Sequence, residues 1–152
     1  MRPDTVRFVK KRDALPHQLW YITCGADGGW RGEEYWHWTV LVTREEPGGW
    51  SACGVAGGGV GDGPVRGHAW ANLGGDWGRG GFRAGGTVED AGKGVARVRL
   101  TDAEGRTFED TVDDGVVLFI SDEPVAMPMR VDLYNAEGRV VGRDDWGFGP
   151  AR

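Results

Sequence analysis

The sequence predicts an antiparallel all-β fold, a β-sandwich with little or no helix, as one domain over residues 1–152. Apolar and polar residues alternate with a period of two in several segments, and no segment shows the spacing of an amphipathic helix. Glycine supplies 28 of the 152 residues. Each glycine inside a helix costs about 1 kcal/mol relative to alanine. This composition therefore excludes a protein built from long helices.

Two aromatic segments predict strands in the N-terminal half. Residues 19–24 form a short aromatic and β-branched run that ends at Gly25. Residues 35–42 alternate with a period of two, which predicts a strand with one fully apolar face. That face carries Trp36, Trp38, Val40 and Val42, while the other carries Tyr35, His37, Thr39 and Leu41. Residues 65–73 alternate small and large side chains and predict a further strand. We expect an extra aromatic layer from residues 18–73.

Two glycine-rich stretches divide the chain, at residues 57–63 and 74–94. Glycine weakens a strand interior and is typical of turns and connections. We therefore predict two long connections here. Trp77 and Phe82 interrupt the second stretch, which favours a connection within the domain over an interdomain linker.

The C-terminal third contains one hairpin pattern twice. Residues 98–106 and 131–139 share the pattern Val-x-Leu-x-(Asp/Asn)-Ala-Glu-Gly-Arg, 33 positions apart. An Asx residue, two turn formers and a glycine predict a type I turn closed by a G1 bulge, in which glycine takes a positive φ. Between the two copies, residues 116–120 are continuously apolar and predict a strand buried on both faces.

These C-terminal segments also resemble a known group of proteins. The stretches 94–106, 114–119 and 133–140 are similar to a pattern in actinobacterial proteins of unassigned function, which look like small immunoglobulin-like sandwiches. The resemblance covers residues 93–143, about a third of the chain. It implies an immunoglobulin-like β-sandwich and implies nothing about activity.

Four tryptophans stand beside glycine or aspartate in predicted loops: Trp30, Trp50, Trp77 and Trp146. Flat indole rings at loop tips can stack on sugars or anchor a protein partner. The leading functional hypothesis is therefore a non-catalytic binding or interaction domain with these rings as its contact surface. In the alternative interpretation each ring folds back and closes an end of the sandwich.

Two further functional classes stay open. Trp36, His37, Trp38 and His68 are candidates for lining a pocket in a small enzyme or ligand-binding β protein. A structural subunit could instead pack its tryptophans against copies of itself. No recognisable catalytic motif is present: for example, the glycines at 57–63 lack the Gly-Lys-Ser/Thr ending of a phosphate-binding loop.

Cys24 and Cys53 each precede glycine at the end of a predicted strand. Adjacent strand ends would allow a disulfide, whereas in a cytoplasmic protein two buried thiols are expected. Together with His37 and His68 the cysteines supply zinc-ligand chemistry, but the gaps of 12, 15 and 14 residues contain no closely spaced ligand pair. We predict no metal and no cofactor.

Charge and the chain start restrict partner and compartment. The net charge is −5, which weighs against nucleic acid and anionic membranes as main partners. The first seven residues contain no apolar run of a secretory signal. We therefore expect a cytoplasmic protein, unless a leader has been removed, with a protein or carbohydrate partner or a homo-oligomer.

Overall fold

The computed structural model describes residues 2–14, 17–26, 36–45, 50–59, 67–78 and 81–146. It describes the backbone alone at positions 2, 3, 5, 14, 17, 23–26, 36–45, 50–59 and 78. These parts of the chain contain strands and no helix, and every strand pair is antiparallel. The predicted all-β, antiparallel class is confirmed. The described residues also contain no helix with the length and apolar character to cross a bilayer.

The strands form three sheets. The strand bounds are β1 Arg2–Ala14, β2 His17–Ala26, β3 Trp36–Glu45, β4 Trp50–Gly59, β5 Trp70–Gly78, β6 Gly81–Glu89, β7 Val95–Thr101, β8 Thr107–Thr111, β9 Val116–Ser121, β10 Met129–Asn135 and β11 Val140–Trp146. The N-terminal sheet has the order β1-β2-β3-β4, the middle sheet β5-β6-β9 and the C-terminal sheet β11-β10-β7-β8.

The middle and C-terminal sheets pack face to face and enclose the main core. Inward side chains of β6 and β9 meet inward side chains of β7 and β10, as period-two alternation requires. The buried members of this core are Ala69, Phe82, Ala84, Val98, Leu100, Val117, Phe119, Met129, Val131 and Leu133. The result is a sandwich of three strands on four.

The N-terminal sheet covers the opposite face of β9. Leu19 and Tyr21 of β2 form a second buried cluster with Val116 and Leu118. Strand β9 is therefore apolar on both faces, because each face packs against a different sheet. This confirms the buried strand that residues 116–120 predict.

Both predicted hairpins are present and have equivalent turns. Gly105 donates its N–H to the Asp102 carbonyl at 3.0 Å, and Gly138 does the same to Asn135 at 3.0 Å. The two glycines have φ values of 85° and 77°, in the left-handed region that glycine adopts without strain. The predicted turn with its glycine bulge is confirmed in both copies.

The two hairpins also pair with one another through β7 and β10. Val98 lies opposite Leu133, and Leu100 lies opposite Val131. Since these residues are equivalent between the copies, a local pseudo-two-fold axis relates the hairpins. The axis passes beside the pair formed by Arg99 and Asp132.

The prediction of long connections in the glycine-rich stretches is wrong for the described residues. The second stretch contains most of β5 and all of β6, and residues 57–59 end β4; residues 60–63 lie outside the described part. A Cβ at Gly86 would lie 1.8 Å from the Asn72 carbonyl oxygen, and one at Gly75 would lie 2.2 Å from that of Arg83. Glycine is required here because neighbouring backbones approach too closely for a side chain.

Polar contacts also attach β1 to the sandwich. The Lys10 ammonium lies 2.7 Å from a carboxylate oxygen of Asp110 and 2.7 Å from one of Asp113. Arg12 donates to the Leu118 carbonyl at 2.8 Å and lies 3.1 Å from Asp110. These cations hold the N-terminal sheet against β8 and β9 beside the small apolar cluster.

Candidate functional site

The predicted loop positions are wrong for Trp77, which lies within β5, and for Trp146, which ends β11. Both belong to the edge of the sandwich core. The rings of Trp77 and Trp146 meet edge to face with centroids 5.3 Å apart, and Trp146 lies 6.0 Å from Phe82. Both are partly buried against the main core, so they close the space between β5 and β11. Trp30 lies outside the described residues, and Trp50 is the first residue of β4, its side chain outside the description.

The proposed pocket residues do not come together on one face. Trp36, His37 and Trp38 are consecutive in β3, so alternation places His37 on the opposite face from the two tryptophans. His68 is exposed and precedes β5. Within the described part of the chain, no three histidine, cysteine, aspartate or glutamate side chains are grouped as metal ligands.

The two cysteines lie on strands that are not neighbours. Cys24 of β2 pairs with Trp38 of β3, while Cys53 of β4 falls in a register shift between the partners of Leu41 and Val42. Strand β3 therefore separates them by two strand spacings, roughly 9.6 Å. A disulfide requires Cα atoms within about 7 Å, so this sheet does not place the cysteines in bonding range.

The described side chains of β1 and β2 define two faces of the N-terminal sheet. Leu19 and Tyr21 point towards β9, and Phe8 and Trp20 lie on the other side. Phe8 is 63% exposed, and its ring meets that of Trp20 edge to face at 5.6 Å. The Lys11 ammonium lies 5.6 Å from the Trp20 ring. We call the side of this sheet that carries Phe8 and Trp20 the aromatic outer face.

The strand register extends this face across all four strands with apolar positions. One row runs through Phe8, Ile22, Val40 and Val55. Residues paired across an antiparallel sheet share a face. The tryptophans at register positions on the aromatic outer face are Trp20, Trp36, Trp38 and Trp50. The apolar alternation of residues 36–42 was the sequence signal for the aromatic outer face. The strand register that aligns this segment with Phe8 is a property of the fold and is not visible in the sequence.

A second distinctive surface covers the C-terminal sheet on the side away from the core. The Asp132 side chain is 1% exposed and lies between Arg143, at 2.6 Å, and Arg130, at 2.9 Å. Burial alone would raise the pKa of Asp132, but the hydrogen bonds from the two arginines outweigh it and hold the pKa below its ordinary value of 3.8. Asp132 is therefore an ionised, paired carboxylate beneath two guanidinium groups.

Glu109 forms a second arginine–carboxylate–arginine group on the same surface. It accepts hydrogen bonds from Arg99 and, at 3.0 Å, from Arg97. The Arg99 hydrogen bond is the main reason that the pKa of Glu109 is lowered. The guanidinium carbons of Arg97 and Arg99 lie 4.6 and 5.1 Å from the centre of the Tyr134 ring.

One row of this sheet alternates in charge across its four strands. Arg143, Asp132, Arg99 and Glu109 are successive partners in register. The sequence shows the arginines of β7 pointing away from the core, but it does not show which carboxylates face them. We call Arg97, Arg99, Arg130 and Arg143, with Tyr134, the arginine face.

The described residues thus provide two contact surfaces, one aromatic and one rich in arginine. Both can bind a partner without any covalent chemistry. Comparisons of this chain with family models, with curated proteins and with solved structures found no match.

Proposed function

We propose that this chain is a non-catalytic interaction domain that associates through the aromatic outer face of its N-terminal sheet. The observation that carries the proposal is Phe8, which is 63% exposed, meets Trp20 edge to face and lies at one end of an apolar row of the sheet. Contiguous apolar surface on a folded protein is typical of an interaction site. Tryptophan is also among the residues that contribute most to binding energy at interfaces.

The scaffold of this domain is, in our proposal, an immunoglobulin-like sandwich formed by β5 to β11. If these seven strands are lettered A to G, the two sheets contain A-B-E and D-C-F-G. The constant-type immunoglobulin fold has A-B-E-D and C-F-G. The arrangements differ in the sheet to which the short strand D, here β8, is attached. This strand order supports the resemblance that residues 93–143 carry in the sequence.

The partner we propose for the aromatic outer face is a second copy of the chain. Four strands about 4.8 Å apart and ten residues of about 3.3 Å each give a face of roughly 630 Å². Two such faces bury roughly 1,300 Å², above the roughly 1,000 Å² expected of a specific interface. A two-fold axis would let each face pack on its own equivalent, as in most homodimers.

Light scattering over a wide range of protein concentrations tests the proposal. We expect the wild-type mass to rise to that of a dimer and Phe8→Asp to remain a monomer, since a charge on this face opposes burial. Val140→Asp is the matched control, because Val140 is the other large apolar residue that is exposed in the described chain, at 46%. A wild type that stays monomeric, or a Val140→Asp variant that loses the dimer equally, contradicts the proposal.

The same light-scattering experiment tests the hypothesis that Trp50, Trp77 and Trp146 form a contact surface. Trp50 occupies a position on the aromatic outer face, so Trp50→Ala should weaken association. Trp77→Ala and Trp146→Ala should instead lower the free energy of unfolding by about 2 kcal/mol, because their rings pack on the core. If these two variants alone impair association, the contact surface lies at the sandwich edge. Binding of a carbohydrate or a different protein by a monomeric wild type would support the sequence-derived partner classes instead.

A further inference from the structure

We propose that the arginine face of the C-terminal sheet is a binding site for the carboxylate groups of an acidic peptide in extended conformation. The site is separate from the aromatic outer face. It rests on three features of the described residues: fixed guanidinium groups, hydrogen-bond donors open to solvent, and a local excess of positive charge.

The four guanidinium groups are held in place before any ligand arrives. Asp132 fixes Arg130 and Arg143, and Glu109 fixes Arg97 and Arg99. The Tyr134 ring supports the second pair from within the same sheet. Arginine side chains lose considerable conformational freedom when they bind a ligand. Here that loss occurs on folding, so a ligand meets donors that are already ordered.

Each guanidinium group has donors beyond those that hold it. A guanidinium carries five N–H donors, and one hydrogen bond to a carboxylate is identified for each arginine of this face among the described residues. The side chains are 35% exposed at Arg97 and Arg99, 51% at Arg130 and 61% at Arg143. Planar, solvent-accessible N–H groups suit the two oxygens of a carboxylate.

The charges of this surface favour an anion locally. Its register rows combine the four arginines with Asp132, Glu109 and Asp145, which leaves a surplus of one positive charge. Asp132 is covered, so the carboxylates that an approaching ligand meets are Glu109 and Asp145. The chain as a whole carries −5. A long polyanion such as nucleic acid extends beyond this face and is repelled by the rest of the chain, whereas an extended six-residue peptide, roughly 20 Å long, remains close to the arginines.

The spacing of the arginines favours an extended peptide. Arg97 and Arg99 are alternate residues of β7, and alternate residues of a strand are roughly 6.8 Å apart. Carboxylates at alternate positions of an extended peptide repeat at the same distance. Neighbouring strands place Arg130 and Arg143 beside this line, which allows a second row of contacts.

Titration of the full-length protein with a hexaglutamate peptide, followed by amide NMR, tests the assignment. We expect shift changes confined to β7, β10 and β11. Arg97→Gln and Arg143→Gln should each weaken binding about tenfold or more. Arg139→Gln is the matched control, since it removes the same charge from an exposed residue in the turn before β11 and should change the affinity less than about twofold. Dispersed spectra of each variant verify the fold.

Three results would overturn the proposal. The first is an absence of shift changes on this face. The second is an equal loss of affinity in Arg139→Gln, which would indicate non-specific attraction. The third is binding of a six-residue thymidine oligonucleotide as tight as that of hexaglutamate, which would indicate phosphate recognition. Arg97→Lys keeps the charge without the planar donor pair and should also bind more weakly. Repeating the titration with Phe8→Asp separates this site from self-association.

Discussion

Replacing Gly86 by alanine tests the finding that the glycine-rich stretch is a strand pair. A Cβ at this position would lie 1.8 Å from the Asn72 carbonyl oxygen and 2.8 Å from its carbonyl carbon. The obstacle is backbone of the neighbouring β5, so no side-chain rotation relieves it. To reach an ordinary contact, β5 must move locally by about 1.5 Å, which disrupts two or three interstrand hydrogen bonds worth about 1 kcal/mol each.

We therefore expect Gly86→Ala to lower the free energy of unfolding by about 3 kcal/mol, or Tm by roughly 9 °C for a chain of this size. Urea denaturation followed by tryptophan fluorescence measures the change. Gly74→Ala is the control, because a Cβ there meets nothing within 4 Å and alanine is slightly better than glycine in a strand. If neither substitution changes the free energy of unfolding, the strand pairing is refuted and residues 74–94 form a connection, as the sequence predicted.

Three further perturbations address the polar contacts. Lys10→Met removes an ammonium held between two aspartates and should cost about 3 kcal/mol in thermal unfolding, whereas no loss would mean that apolar contacts alone attach the N-terminal sheet. The folded-state pKa of Asp132 is lowered below 3.8, so its contribution to stability is full above about pH 5 and is lost as the pH falls through the folded value. Asp132→Asn should therefore flatten the acid side of a plot of Tm against pH, and an unchanged slope would refute this. The Asp102 carboxylate accepts hydrogen bonds from three backbone N–H groups and from the Arg106 guanidinium. The side chain of Asn135, the equivalent residue in the second hairpin, accepts a hydrogen bond from the backbone N–H of Arg139. Asp102→Ala should cost about 3 kcal/mol and Asn135→Ala less than about 1 kcal/mol in urea denaturation, and equal costs would contradict the buried network.

The strands and turns of the C-terminal half were predictable because the local sequence patterns indicate the same structure that the tertiary packing requires. The two Asx-Ala-Glu-Gly turns specify their hairpins through residues that are adjacent in sequence. The apolar run at 116–120 specifies a strand covered on both faces, which the structure confirms. No knowledge of distant partners was needed for either prediction.

The strand over residues 65–73 was predicted in part, because β5 begins at Trp70 and continues to Gly78. The strands and strand segments that escaped prediction depend on distant partners. Strand β1 directs Lys10 and Arg12 inwards to carboxylates and carbonyls of β8 and β9, so its buried side shows no apolar alternation. The second half of β5, from Gly74, and all of β6 contain glycine where another backbone approaches closely. Composition alone does not distinguish such glycines from those of a connection.

The candidate surfaces were predictable only in part. Residues 36–42 indicate an apolar face, yet the register that aligns it with Phe8 and Trp20 involves strands from separate segments. Similarly, Arg97 and Arg99 are visibly outward in sequence, while their pairing with Glu109 depends on the hairpin register. The sequence shows the chemistry of each side chain, but it does not show which side chains the strand register places next to one another.

The position of β9 between two sheets sets an order for folding. Its partners on one side, β1 and β2, leave the ribosome about a hundred residues earlier than β9 itself, and the contact of Lys10 with Asp110 spans a similar separation. Contacts of this range are slow to close. We therefore expect the apolar residues of β1 and β2 to remain exposed to solvent until the sandwich of β5 to β11 has formed. Nascent chains that stop before β9 should accordingly depend most on chaperones.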